Sequence, residues 1–277
     1  TIGPYAVRGA MPAAEGGWTI HAEDTLLGRH ILIEMRPKKP GAENPPREVT
    51  RPTRARHLQR GEIDLHGNPY LWDAYVAPSG AAIADIAGPT RRLSWTEARP
   101  LLEQLADELA SAQADGSLPA VFSLDQIWVL RDGRLQLLDD PIPRPGEAPC
   151  RSTGPLDLLR DVAALTLEGQ VRIAGLPAQP IRAPVPLHAA AFLDRLFGNR
   201  NPFDDLESCN AGLKQSRELP TQVDQPLRLA HLSVQAITLA IGLAMMYLVS
   251  GLFAVAAVLD REQHVLSAHR IQRMLDD

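Results

Sequence analysis

Cysteine is nearly absent: the 277 residues hold two, Cys150 and Cys209. With no CxxC pair and no histidines at metal-ligand spacing, neither a disulfide framework nor a zinc site underlies the fold. Two thiols fit a reducing compartment. Positive charge is not in excess either, and a net charge of −5 gives no general reason to expect nucleic acid. One basic run stands out: Arg36, Lys38, Lys39, Arg47, Arg51, Arg54, Arg56 and Arg60. No stacking aromatics are interleaved with it, which argues against nucleic-acid binding. The run reads as a solvated loop face, with a patch for anionic lipid headgroups or an acidic partner as the functional alternatives. Thr1 in place of Met points to processing or to a longer chain.

Charge of either sign is missing from Leu229 to Leu259, a protonated His231 apart. The centre of that interval, "ITLAIGLAMMYLVSGLFAVAAVL", runs for 23 residues from Ile237 to Leu259. About 20 apolar residues cross a ~30 Å hydrocarbon layer as a helix. A buried core helix would need a polar face, and none is present. The expectation is one transmembrane helix over 229–259, too far from the N-terminus for a signal peptide. Ser233 and Gln235 fall at its entrance. Ala240, Gly242, Ala244, Ser250, Gly251 and Ala254 are small, and Ala240/Ala244 and Ser250/Ala254 have the spacing that lets helices pack closely, or are generic span composition. Lys214, Arg217 and Arg228 precede the span and Arg261, Arg270 and Arg273 follow it, so charge does not orient it. The tail 260–277 places Val265, Ala268, Ile271 and Leu275 near helical spacing and is expected to form an amphipathic helix.

The region before the span alternates strand and helix signals. "LLGRHILIEM" (Leu26–Met35) reads as a turn and a short buried strand, and "PYLWDAYV" (Pro69–Val76) as another strand. Ser94-x-x-Glu97 is a capping-box pattern opening a helix with Leu101, Leu105 and Leu109 on one stripe. "QIWVLRDGRLQLL" sets a tight-turn dipeptide, Asp132-Gly133, between apolar runs and predicts a hairpin. Helical patterns return at "LDLLRDVAALTLEG" and "LHAAAFLDRLFG", separated by proline-rich passages. Strands, a helix, a hairpin and then helices make an α+β arrangement with two segregated lobes.

In that order the wording resembles a bacterial Ser/Thr protein kinase domain over about residues 1–225. "AEDTLLGRHILIEM" looks like the second and third N-lobe strands, usually A-x-D-x-x-L-G-R-x-V-A-I-K. "GNPYLWDAYVAPSG" looks like the strand and hinge joining an N-lobe (about 1–76) to a C-lobe (about 80–220). "GSLPAVFSLDQIWVLRDGRLQLLDDPI" aligns without a gap to G-x-x-H-R-D-L-K-P-x-N-I-L-V-x-x-D-G-R-x-K-L-x-D-F-G-I. Asp161 falls where the family keeps the buried Asp that ties down its catalytic loop.

The resemblance implies a site that has lost its chemistry. The phosphate-covering glycines are matched by Pro12, Ala14 and Gly17. The phosphate-holding lysine is Glu34, which would repel a triphosphate, and Leu32 would crowd a purine. His-Arg-Asp is Pro119-Ala120-Val121, and Val121 accepts no proton. The metal-ligand Asn is Gln126. Only Asp139 survives, followed by Asp140-Pro141 in place of Phe-Gly, and it reads as a turn or capping residue more than a metal ligand. Asp161 reads as structural, accepting backbone amides. No catalytic, cofactor-binding or metal-ligating residue is therefore expected, and no cofactor. The implied function is a membrane-anchored pseudokinase, not an enzyme, serving as a scaffold subunit of a membrane complex. Its partners would be integral membrane proteins or a second copy through the helix, in the lipid bilayer, with the kinase-like domain in the cytoplasm and no nucleic acid bound. The alternatives are an atypical kinase using Asp125, Asp139 and Asp140, or a transient signalling adaptor.

Overall fold

The computed structural model describes residues 1–13, 16–39, 49–142, 144, 151–173, 179–220 and 236–257. The chain is mixed α+β and divides into two units, Thr1–Gln222 and Val223–Asp277. The first opens with five antiparallel strands, β1 (Ala6–Pro12), β2 (Trp18–Asp24), β3 (Arg29–Pro37), β4 (His57–Leu65) and β5 (Asn68–Val76). Their order in the sheet is β1-β2-β3-β5-β4. The Leu26–Met35 expectation is met by the turn after β2 and by β3, and Pro69–Val76 by β5. The β4–β5 connection is a two-residue turn, His66-Gly67, with positive φ at both positions. That is the geometry whose twist matches a hairpin, and it favours Gly.

The sheet has two unlike faces because side chains alternate along each strand. One face is apolar: Ile20, Ile31, Ile33, Met35, Trp72 and Ala74, with Ile2 and Tyr5 from the N-terminal segment packed on them. Trp72 lies over Gly61, and a Cβ added at Gly61 would come within 2.3 Å of the indole. Gly61→Ala is therefore expected to displace Trp72 and cost about 1–3 kcal/mol, the usual penalty of overpacking. Chemical unfolding with Trp fluorescence checks both the cost and the indole's new environment.

The rest of the unit is built on α2 (Trp95–Asp115). Ser94 and Glu97 form the expected capping box, with the Glu97 carboxylate accepting Ser94 N–H at 2.8 Å and its hydroxyl at 2.7 Å. Leu101, Leu102, Leu105 and Leu109 make the buried stripe. A three-stranded sheet of β6 (Gly80–Ala82), β8 (Ile127–Leu130) and β9 (Leu135–Leu137) lies beside it, and a short pair joins β7 (Phe122–Ser123) to β10 (Arg151–Ser152). The predicted hairpin is β8–β9, with Gly133 at φ +81 as the tight turn demands. A four-residue helix, α1 (Ile83–Ile86), follows β6. Helices α3 (Pro155–Glu168), α4 (Leu187–Leu196) and α5 (Leu206–Ser216) complete the second apolar cluster. Cys209 is buried within it, and that burial pushes its thiol up to about 12, leaving it protonated and inert.

The second unit contains α6, Ala236–Ala257, 22 residues long, exposed along its length and apolar enough to cross a membrane. Residues 229–235, 258 and 259 of the expected span lie outside the described residues, as does the whole of the expected tail 260–277.

Candidate functional site

The second face of the five-stranded sheet is polar at its centre, which is unusual for buried strands. Register places Thr19 on β2 opposite Glu34 on β3, Glu34 opposite Asp73 on β5, and Asp73 opposite Arg60 on β4. One row across four strands is thus Thr, Glu, Asp, Arg. The next row on this face runs His21, Leu32, Tyr75, His57. Leu32, the residue expected to crowd a purine, is buried beside Glu34.

Asp73 is fully buried, at 0% exposure, and completely paired. Its Oδ1 accepts from Arg60 Nε at 2.9 Å and lies 3.3 Å from His57 Nε2. Its Oδ2 accepts from Arg36 Nη2 at 2.9 Å and Arg60 Nη2 at 3.1 Å. Sequence reasoning missed this residue. The signal was present: a lone acid between Trp72 and Ala74 in an otherwise apolar strand is buried only with cations to meet it.

Glu34 is 8% exposed and, among the described residues, meets no cation at ion-pair distance, Arg36 being engaged by Asp73. Burial, reinforced by the carboxylates of Asp140, Asp139 and Asp73, holds its pKa well above the usual glutamate range, with Arg36 opposing. Asp140 follows β9. The residue is exposed, yet its carboxyl group is crowded enough for burial to raise its pKa, against Arg36 and a hydrogen bond with Glu34. Tyr75 is raised in the same way, by burial and then by Glu34, Asp139 and Asp73.

Asp139 is neither a helix cap nor placed in a metal-ligand cluster. Its Oδ1 accepts from Arg54 Nη2 at 2.7 Å, and Nη2 also donates to Ser117 O at 2.7 Å. Arg54 and Arg51 in turn clamp Glu108 of α2. The basic run is therefore only in part the solvated face expected from sequence: Arg36, Lys39 and Arg56 are exposed, Arg51 and Arg60 are half-buried and Arg54 is buried. Arg36, Arg51, Arg54 and Arg60 each meet a carboxylate within the unit, and Lys38 Nζ meets Glu62 at 2.8 Å. The sequence missed this because the partners lie 24 to 85 residues away for all but Arg60. Arg47 lies outside the described residues.

The other expected positions are occupied by structure. Gln126 is fully buried: its amide donates to Asp139 O at 2.7 Å and Leu138 O at 3.3 Å, and its Oε1 accepts Ser123 N–H at 2.7 Å. Asp125 is held by Arg144 Nε at 3.1 Å. Asp161 accepts the Ser152 hydroxyl at 2.6 Å, tying β10 to α3 through a hydroxyl in place of the expected backbone amides. Pro12 ends β1, Gly17 precedes β2, and Ala14 lies outside the described residues. Pro119, Ala120 and Val121 form the bend before β7. Among the described residues no three His, Cys, Asp or Glu side chains come together with metal-ligand geometry.

No protein-family model matches the chain, and no curated protein sequence matches it either.

Proposed function

We propose that the chain is a membrane-anchored pseudokinase, a kinase-like domain without phosphoryl-transfer chemistry that serves as a scaffold subunit of a membrane assembly. The observation that carries this reading is the acid pair Glu34 and Asp140 beside Asp139. A nucleotide triphosphate needs cations and close backbone amides at that place, and carboxylates repel it. The order of elements also supports it: an antiparallel sheet, then a long capped helix, a tight hairpin, and helices. The domain's place on the cytoplasmic side follows from the resemblance alone.

Thermal unfolding with ATP and magnesium tests the reading. A ligand at 100 times its Kd would stabilise the folded state by about 2.7 kcal/mol. No shift is expected up to millimolar nucleotide, and a clear saturable rise in Tm would sink the proposal. Gentle detergent extraction with size analysis and mass spectrometry tests the subunit role. Co-purifying integral membrane proteins are expected, and a lone monomer would count against it.

A further inference from the structure

Two large apolar side chains of the first unit stand side by side in solvent. Leu26 is 92% and Leu27 65% exposed, at the tip of the turn between β2 and β3. Isolated exposed leucines are ordinary on protein surfaces. Among the described residues of this unit, no other two exposed large apolar residues are adjacent in the chain. The turn that carries them is fixed by one side chain. Asp24 Oδ1 accepts the Leu26 and Leu27 N–H groups, each at 3.2 Å, and the Asp24 carbonyl accepts Gly28 N–H at 2.8 Å. The three amides at the tip are thus paired without water. The charges at its base are paired too. Arg29 Nε donates to Asp24 Oδ2 at 3.1 Å, and Arg8 Nε to Glu23 Oε2 at 2.9 Å.

We propose that this tip is a second membrane contact, in which Leu26 and Leu27 insert into the bilayer that α6 is apolar enough to cross. Three features favour lipid over a pocket on another protein. A segment entering a nonpolar layer must bring its backbone N–H groups already paired, and this one does. No unpaired charge has to follow it, because Asp24 and Arg29, which bracket the tip, cancel each other. The contact is also small. Burying two leucine side chains shifts a population on the order of 100-fold. That is too little to hold two freely diffusing proteins together, whose stable interfaces bury roughly 1,200–2,000 Å². It is enough to orient a domain whose own chain already keeps it beside lipid. Residues 221–235 connect Pro220 to α6 and span at most about 50 Å. The inference rests on α6 crossing a membrane and is independent of whether the domain transfers phosphoryl groups.

The full chain reconstituted in phosphatidylcholine vesicles tests it. Cys150→Ser leaves only Cys209, which is buried, so a nitrobenzoxadiazole label can be attached in Thr25→Cys beside the intact leucines. Doxyl groups on the lipid chains are expected to quench that label and to leave the same label in Asn68→Cys unquenched. Asn68 opens β5 at the opposite end of the sheet, since Ile31 pairs with Val76 and Pro37 with Tyr70. With Leu26→Ser and Leu27→Ser added, the inserted population should fall on the order of 100-fold, and the label at position 25 should lose its quenching. The melting temperature in detergent should stay unchanged, because both side chains are exposed. Adding phosphatidylserine should alter nothing, because the charges at the base are paired. The proposal is overturned if the label is unquenched with the leucines intact, if quenching survives the serine substitutions, or if it requires anionic lipid. A label shielded from aqueous iodide but not reached by doxyl lipid would assign the leucines to a protein pocket and overturn it equally. Flotation with the vesicles and resistance to alkaline extraction report on α6 itself. A chain that fails both lacks the span, and the contact falls with it. A chain that passes both with an unquenched label keeps the span and loses only the contact.

Discussion

Glu108→Ala is expected to destabilise the first unit by about 3–5 kcal/mol, the cost of breaking a buried ion pair from one side. The side chain is fully buried, and the charge it neutralises is unusually concentrated. Arg51 donates Nε and Nη2 to its two oxygens at 2.8–3.1 Å, Arg54 Nε stands 3.5 Å away, and the Thr53 hydroxyl completes the set. Arg51 also reaches Asp115 Oδ2 at 2.5 Å and Ser117 Oγ at 2.8 Å, and Arg54 is 4% exposed. Removing the carboxylate leaves two guanidinium groups facing each other with too little solvent to screen them. Asp115 and Asp139 do not compensate, because both sit at the open ends of the network. Urea unfolding followed by circular dichroism gives the number. A loss below about 1 kcal/mol would mean that the arginines relax to solvent, and that the segment 49–56 is not anchored by Glu108. The double variant Glu108→Leu with Arg51→Leu should recover part of the loss, since replacing a buried pair by apolar groups is often neutral.

The same network marks the limit of what the sequence discloses. Local rules sufficed where the determining residues are neighbours. Ser94 and Glu97 set the start of α2, Asp132-Gly133 set the β8–β9 turn, and the leucine spacing set the buried stripe of α2. Strand β4, "HLQRGEIDL", escaped because it sits at the edge of the sheet with most of its residues only partly buried, so no clean alternation shows. Helix α5, "LESCNAGLKQS", escaped because its apolar positions are few and interrupted by small polar residues, although Leu206, Cys209 and Leu213 are buried. The site was half legible. Glu34, Leu32, Gln126 and Asp139 could be singled out by position, but their partners could not. Arg54 meets Asp139 across 85 residues and Arg51 meets Glu108 across 57. Side-chain charge alone does not say which arginine finds which acid. Register does: once β3, β4 and β5 pair as they do, Glu34, Asp73 and Arg60 are forced into one row.

Two neighbours in that row are expected to respond to substitution with opposite signs. Asp73→Ala should cost about 3 kcal/mol, because Arg36, Arg60 and His57 all lose their common acceptor inside the sheet face. Glu34→Gln should instead stabilise the protein at neutral pH, on the order of 1–3 kcal/mol, the cost of burying an uncompensated polar group. The side chains sit opposite each other on adjacent strands, so burial alone does not distinguish them. The difference is the supply of cations. The pH dependence follows from the raised Glu34 pKa. A carboxyl raised in the folded state binds its proton more tightly there than in the unfolded chain. Its contribution is fully present below the ordinary glutamate range, near pH 4.3, and is lost as pH rises through the folded value. The Glu34 contribution to wild-type stability should therefore decline above about pH 4.3, and the Glu34→Gln variant should lack that decline. The gap between the two should be small near the ordinary glutamate value of about pH 4.3 and widen as pH rises through the raised folded value of Glu34. Melting curves of both proteins across that range decide the matter, and a constant gap would show that Glu34 is ionised and internally paired throughout.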